Sequence, residues 1–161
     1  MELTDLMPVE DWVALQYELH DRFGLNADVV NSKGQRLAGN TWGNELCHKL
    51  RADSKGYGAI CATAGMMFTQ MVQEGQPFVE ECDAGMTRIS VPIVVDGEHL
   101  GALGGCGVVA EDGEVDGFTI GMMSNLSEDD ISQTIETVST VSYENIQEIQ
   151  DYIESRLASL S

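Results

Sequence analysis

A β-branched run, residues 86–95, and a Gly-rich apolar run, residues 99–109, flank the dipeptide Asp96-Gly97. No other feature of the chain constrains its fold as much. Asp-Gly tolerates the positive φ angles that a type I′ turn demands, so the runs read as two strands of one hairpin. Pro92 lies inside the first run. It has no N–H to give a neighbour, which assigns that stretch to a sheet edge or a bulge. Residues 78–82 read as a further strand. Residues 27–31 alternate apolar and polar side chains, Ser32-Lys33-Gly34 turns, and residues 35–38 return, which predicts a second hairpin.

Helical periods surround these strands. Trp12, Leu15, Leu19 and Phe23 recur at helical spacing. Pro8 suits a first turn and Gly24 a stop, so residues 8–22 are predicted helical. Residues 44–50 read as a short helix carrying Cys47 and His48. Residues 58–73 read as a longer one carrying Cys61, Met66, Met67, Phe68 and Met71, with Gly75 ending it. Residues 110–125 are rich in Gly and Asp and read as a loop. Ser127 opens a helix with acidic residues in its first turn. Residues 142–160 form a last helix with Ile146, Ile149, Ile153 and Leu157 on one face. The sum is an α+β domain with about five strands, mostly antiparallel, and helices inserted after the first hairpin and at both ends. At 161 residues the chain fits one domain, residues 1–161, with its C-terminal helices in 127–160.

The formal charge is −19, from 27 acidic and 8 basic residues. A field of that sign repels phosphate backbones and anionic lipid, so neither nucleic acid nor a membrane surface is an expected partner. The start of the chain is acidic and no apolar run reaches the ~18 residues of a spanning helix. The expected compartment is the reducing cytoplasm, where four cysteines need a reason other than disulfide bonding.

The segment Cys82-Asp83-Ala84-Gly85-Met86, followed by Pro92-Ile93, Asp96-Gly97 and Leu100-Gly101, resembles the PocR-type sensory domain, a PAS-like family. Cys47, Cys61 and Gly75-Gln76-Pro77 also stand where that family has its landmarks. The resemblance spans nearly the whole chain and is most specific from Cys82 to Gly105. It implies a PAS-like sheet with inserted helices and a ligand-sensing role. Such modules are usually fused to an output domain. A stand-alone sensor would signal by binding a partner protein or by changing its oligomeric state. The family usually has His where Asp83 stands, and the resemblance implies no cysteine at Cys106.

The spacings among Cys47, Cys61, Cys82 and Cys106 contain no C-x-x-C pair, so spacing alone is weak support for a zinc site. In the fold the resemblance implies, the inserted helices cover the sheet, so Cys47 and Cys61 could face Cys82 and Cys106 across one pocket. Four thiolates suit an iron–sulfur cluster, [4Fe–4S] before [2Fe–2S], or zinc. The plain alternative is that each is a small buried apolar residue. Candidate pocket residues are His48, Trp42, Tyr57, Met66, Phe68, Met86, Gly104 and Gly105, for which packing or surface roles are the competing readings. The glycine-rich run 101–107 lacks the strand-to-helix context of a phosphate loop, and no nucleophile elbow or acid–base pair stands out, so no enzymatic site is expected. Three readings follow. The first is a sensor of redox state or oxygen built on a metal cluster. The second is a metal-free sensor of a metabolite such as a diol or a hydrocarbon-like compound. The third is an electron carrier. The stripe 146–149–153–157 offers a dimer seam along the terminal helices.

Overall fold

The computed structural model describes residues 1–39 and 43–160. Its elements run α1 (Leu3–Leu6), α2 (Val9–Phe23), β1 (Asn26–Asn31), α3 (Glu45–Ala52), α4 (Ser54–Gly56), a π-helical turn (Tyr57–Cys61), α5 (Ala62–Gln73), β2 (Phe78–Glu81), β3 (Thr87–Val95), β4 (Glu98–Ala110), α6 (Gly117–Met123), α7 (Glu128–Ile135), β5 (Ser139–Val141) and α8 (Tyr143–Ala158).

Local chemistry sets most of these boundaries. The β3–β4 turn has φ of 51° at Asp96 and 80° at Gly97, the two positive values that a type I′ hairpin needs. Gly24 closes α2 in the left-handed conformation, its N–H reaching the His20 carbonyl at 2.8 Å. Asn44, Ser127 and Ser142 cap α3, α7 and α8, each side chain accepting from the backbone N–H three residues on.

The sheet order is β1-β4-β3-β2, with antiparallel neighbours, and β5 pairs parallel with the tail of β4. Helices α3 to α5 are inserted between β1 and β2, which gives the α+β, PAS-like arrangement. β2 pairs with β3 only from Thr87 to Ser90. Beyond Ser90 that side of β3 is an edge, and Pro92 lies there, paired only with Ala102 of β4.

The two faces of the sheet differ. On one, Ala27, Val29, Ile89, Val91 and Leu103 meet α2 and α8 in the main core. Trp12 and Leu19 of α2 and Ile153 of α8 are wholly buried there. The Trp12 indole N–H, 3.0 Å from the Leu3 carbonyl, ties down α1. The other face is covered by α3 to α7 through two smaller apolar clusters.

Four expectations are corrected. Residues 35–38 form no strand. After the turn at Gly34 the chain makes one bridge, Val30 to Arg36, and then leaves the sheet. The stretch has no β-branched residue to hold a longer ladder, and β5 supplies the fifth strand instead. Residues 110–125 contain α6, because Asp116 caps Thr119 and Ile120 is buried, overriding the poor helix propensity of Gly117 and Gly121. The helical run expected over 58–73 starts at Ser54 and is wound as a π-turn at Tyr57–Cys61. The stripe on α8 packs inward: Ile146, Ile149 and Ile153 are buried on the sheet and Leu157 joins the same core. A seam between two copies would therefore need another face of the helix.

Candidate functional site

Between the sheet and helices α3 to α5 lies a cavity of about 600 Å³. Its floor is the polar register of the strands. In β1 the side chains of Asn26, Asp28 and Val30 alternate with the core residues Ala27 and Val29. Arg88 of β3 and Cys106 of β4 join that floor. Leu50, Ile60, Ala64 and Phe68 form an apolar roof.

All four cysteines line this one cavity, although they come from four separate segments. They are free thiols. Cys47 is fixed at the start of α3, where its N–H donates to Asn44 Oδ1 at 2.7 Å. The other end of Asn44, Nδ2, donates to the Gly107 carbonyl at 2.7 Å, which ties α3 to the strand that carries Cys106. Asn26 Oδ1 accepts from the Gly43 N–H, and its Nδ2 lies 4.0 Å from Cys106 Sγ. Gly107 makes this crowding possible. Its φ is 85°, and a Cβ there would run into Nδ2 of Asn26 and come within 2.9 Å of Nδ2 of Asn44. Cys61 is carried on the π-turn, a local widening common at functional positions. Cys82 follows β2 in a tight turn, closed by its own N–H to the Met86 carbonyl at 2.9 Å.

Burial controls the protonation of Cys47, Cys61 and Cys82. It pushes Cys47 up to about 12, with the neighbouring Cys106 adding to the effect. It pushes Cys61 up to about 11, opposed by the positive charges of Arg51 and Arg36. Cys82 is also raised by burial, while the Met86 and Ala84 N–H groups, which favour a thiolate, oppose the rise. At neutral pH these three are apolar thiols. Cys47 Sγ touches Met86 Sδ at 3.5 Å. Among the described residues, no group of three or more His, Cys, Asp or Glu side chains is arranged to hold a single metal ion.

The floor also holds a charged pair that the sequence reading did not single out. Arg88 donates Nη1 to Asp28 Oδ2 at 3.1 Å and Nη2 to Asp28 Oδ1 at 2.5 Å. Arg36 Nε approaches the same carboxylate at 3.3 Å. Burial alone would raise the Asp28 carboxyl, but Arg88 and then Arg36 hold it below the usual carboxylate range. Burial likewise opposes the charge of Arg88, and Asp28 overrides it. The Arg88 guanidinium lies 5.5 Å from the Phe68 ring centre, so the roof residue contributes a cation–π contact. Phe68 in turn stacks on Phe78, with centroids 6.1 Å apart.

Of the expected pocket residues, Tyr57, Met66, Phe68 and Met86 line the cavity. Tyr57 and Met66 are largely exposed, while Phe68 and Met86 are buried. His48 is exposed on α3 and does not line the wall. Gly104 and Gly105 do not line it either. They lie in the ladder, where a Cβ on Gly104 would run into the Ile89 carbonyl and one on Gly105 would come within 2.7 Å of the Asn26 carbonyl. Trp42 falls outside the described residues. Asn26, Asp28, Arg36, Asn44 and Arg88 were missed. The available signal was alternation: Asp28 and Arg88 occupy the register opposite Val29 and Ile89, within strands covered on both faces.

No helix among the described residues is long and apolar enough to cross a membrane. Comparison with curated proteins gives no match, and comparison with solved structures gives none. The model of the sensory domain found in PocR matches residues 5–161, and the chain belongs to that family.

Proposed function

We propose that this sensory domain holds an iron–sulfur cluster, [4Fe–4S] in the first instance, on Cys47, Cys61, Cys82 and Cys106, and responds to redox state or oxygen. The observation that carries this reading is that every cysteine of the chain lines one cavity. The donor set is soft, as such clusters require. A preformed zinc site is the weaker fit. Zn–S bonds of about 2.3 Å bring tetrahedral sulfurs within roughly 4 Å of one another, and the described residues contain no such grouping. A polynuclear cluster spreads its thiolates wider. Arg36, Arg51 and Arg88 in the wall offset the negative charge that four thiolates bring.

The chain's own residues account for the signal. Asn44 links α3 to β4, and Asn26 braces Cys106. Releasing the thiols from a shared ligand loosens α3 and the π-turn from the floor, and a partner protein reads the change. Protein prepared without oxygen is expected to be coloured. On exposure to air it should bleach and lose hydrogen-exchange protection in residues 45–73 ahead of α2 and α8. Equal loss across both faces would contradict this signalling route. Zinc in place of iron would support the alternative metal.

A second reading has its own support. The cavity joins an apolar roof of Leu50, Ile60, Ala64 and Phe68 to a polar floor, a pattern suited to a small organic metabolite. A saturable rise in melting temperature of metal-free protein with such a compound would favour it.

A further inference from the structure

The chain has five arginines, and three of them, Arg36, Arg51 and Arg88, line the cavity. Among the described residues, the only carboxylate in the same wall is Asp28. The wall is thus positive in a molecule whose formal charge is −19. Such a concentration of the scarce charge type focuses the field inward and favours an anion there over one at the acidic exterior.

A second observation fixes where the anion belongs. Arg88 is 5 % exposed and lies in the floor. Its two terminal nitrogens are taken by Asp28, but its Nε is buried with no nitrogen or oxygen acceptor among the described residues, the Cys106 thiol being its polar neighbour. A buried donor without a partner is costly and needs an explanation. Arg36 is part-exposed beside it and reaches Asp28 through Nε. Apolar side chains of Ile60, Ala64 and Phe68 close the cavity opposite.

We propose that the cavity binds an organic monocarboxylate, its carboxylate accepting from Arg88 Nε and paired with Arg36, its apolar body against Ile60, Ala64 and Phe68. The inference rests on the cavity being the domain's ligand site, and it concerns the metal-free chain, in which Arg36 and Arg88 face no thiolate cluster. Arginine suits the role because its planar donors match a carboxylate, and a low-dielectric wall strengthens each charged hydrogen bond.

The test is calorimetric melting of the metal-free 161-residue chain at constant ionic strength with butanoate, hexanoate and benzoate, each against its neutral amide. The carboxylates should raise the melting temperature saturably and the amides should not. Arg36→Gln should weaken the apparent affinity about tenfold, as expected for one charged hydrogen bond, and Arg36→Lys should restore part of it. Arg88 is left intact because it neutralises Asp28. Ala64→Phe, which fills the cavity, should abolish the effect. Amides matching the acids, no rise with any acid, or an unchanged response in Arg36→Gln would overturn the proposal. If a neutral diol raises the melting temperature and Ala64→Phe removes that rise, the cavity remains the ligand site and only the anion is lost. If Ala64→Phe leaves the carboxylate effect intact, the cavity itself is the wrong place. Iron content of anaerobic protein reports on the cluster independently of both.

Discussion

The two faces of the sheet are made by the same strands and are built to opposite rules. Under α2 and α8 the inward residues are Ala27, Val29, Ile89 and Leu103, packed on a wholly buried Trp12. One residue along each strand, Asn26, Asp28, Arg88 and Cys106 line a cavity of about 600 Å³. The first face packs apolar side chains closely, which is how a core gains stability. The second keeps an open volume and a buried charged pair, which contribute little stability and are found where something binds. A period of two lets one strand serve both ends.

Substitutions can break this contrast. Trp12→Ala removes the largest buried side chain of the closed face and its bond to Leu3, and should cost about 3–5 kcal/mol in urea unfolding while leaving metal or ligand capacity intact in the folded fraction. A comparable cost, about 3–5 kcal/mol, is expected for Asp28→Asn, because the buried Arg88 charge then stands without its carboxylate. Pairing Asp28→Leu with Arg88→Met should recover much of that loss. If the single change is as mild as the double, the pair is not the structural anchor of the open face.

The same pair gives a pH signature. The Asp28 carboxyl is held below its ordinary value in the folded chain. Its contribution is therefore present above the unfolded value of about 3.9 and is lost as pH falls through the lower folded value. Urea midpoints measured from pH 6 downward should fall in the native protein below about pH 4. In the Asp28→Asn variant that part of the slope should vanish.

Smaller effects sharpen the contrast. Phe68→Ala trims a roof that already faces open space, so it should cost about 2 kcal/mol, less than Trp12→Ala, yet abolish ligand response. Cys61→Ser should cost roughly 1 kcal/mol or less in metal-free protein, since the side chain is only partly buried. A large loss of stability there would make Cys61 a packing residue.

Sequence reading succeeded where one residue's chemistry decides the outcome. Pro8 and Gly24 bound α2, Asp96-Gly97 makes the turn, and Ser127 and Ser142 cap their helices without help from distant parts of the chain. The gathering of the cysteines at one cavity followed from family resemblance rather than from spacing. What stayed hidden depends on partners far apart. Asp28 and Arg88 are 60 residues apart. β5 has three residues, too few for a period to show, and exists because β4 offers an open edge. Gly104 and Gly105 look like a ligand-facing run, but the neighbouring strands demand their missing side chains.

The most direct test measures iron and acid-labile sulfide per chain in protein made and handled without oxygen, for the native sequence and for Cys→Ser changes at 47, 61, 82 and 106. If the thiols of the open face share one cluster, the native protein carries stoichiometric iron and sulfide, and each substitution lowers both together. A colourless native protein with four titratable thiols and no metal would contradict the account.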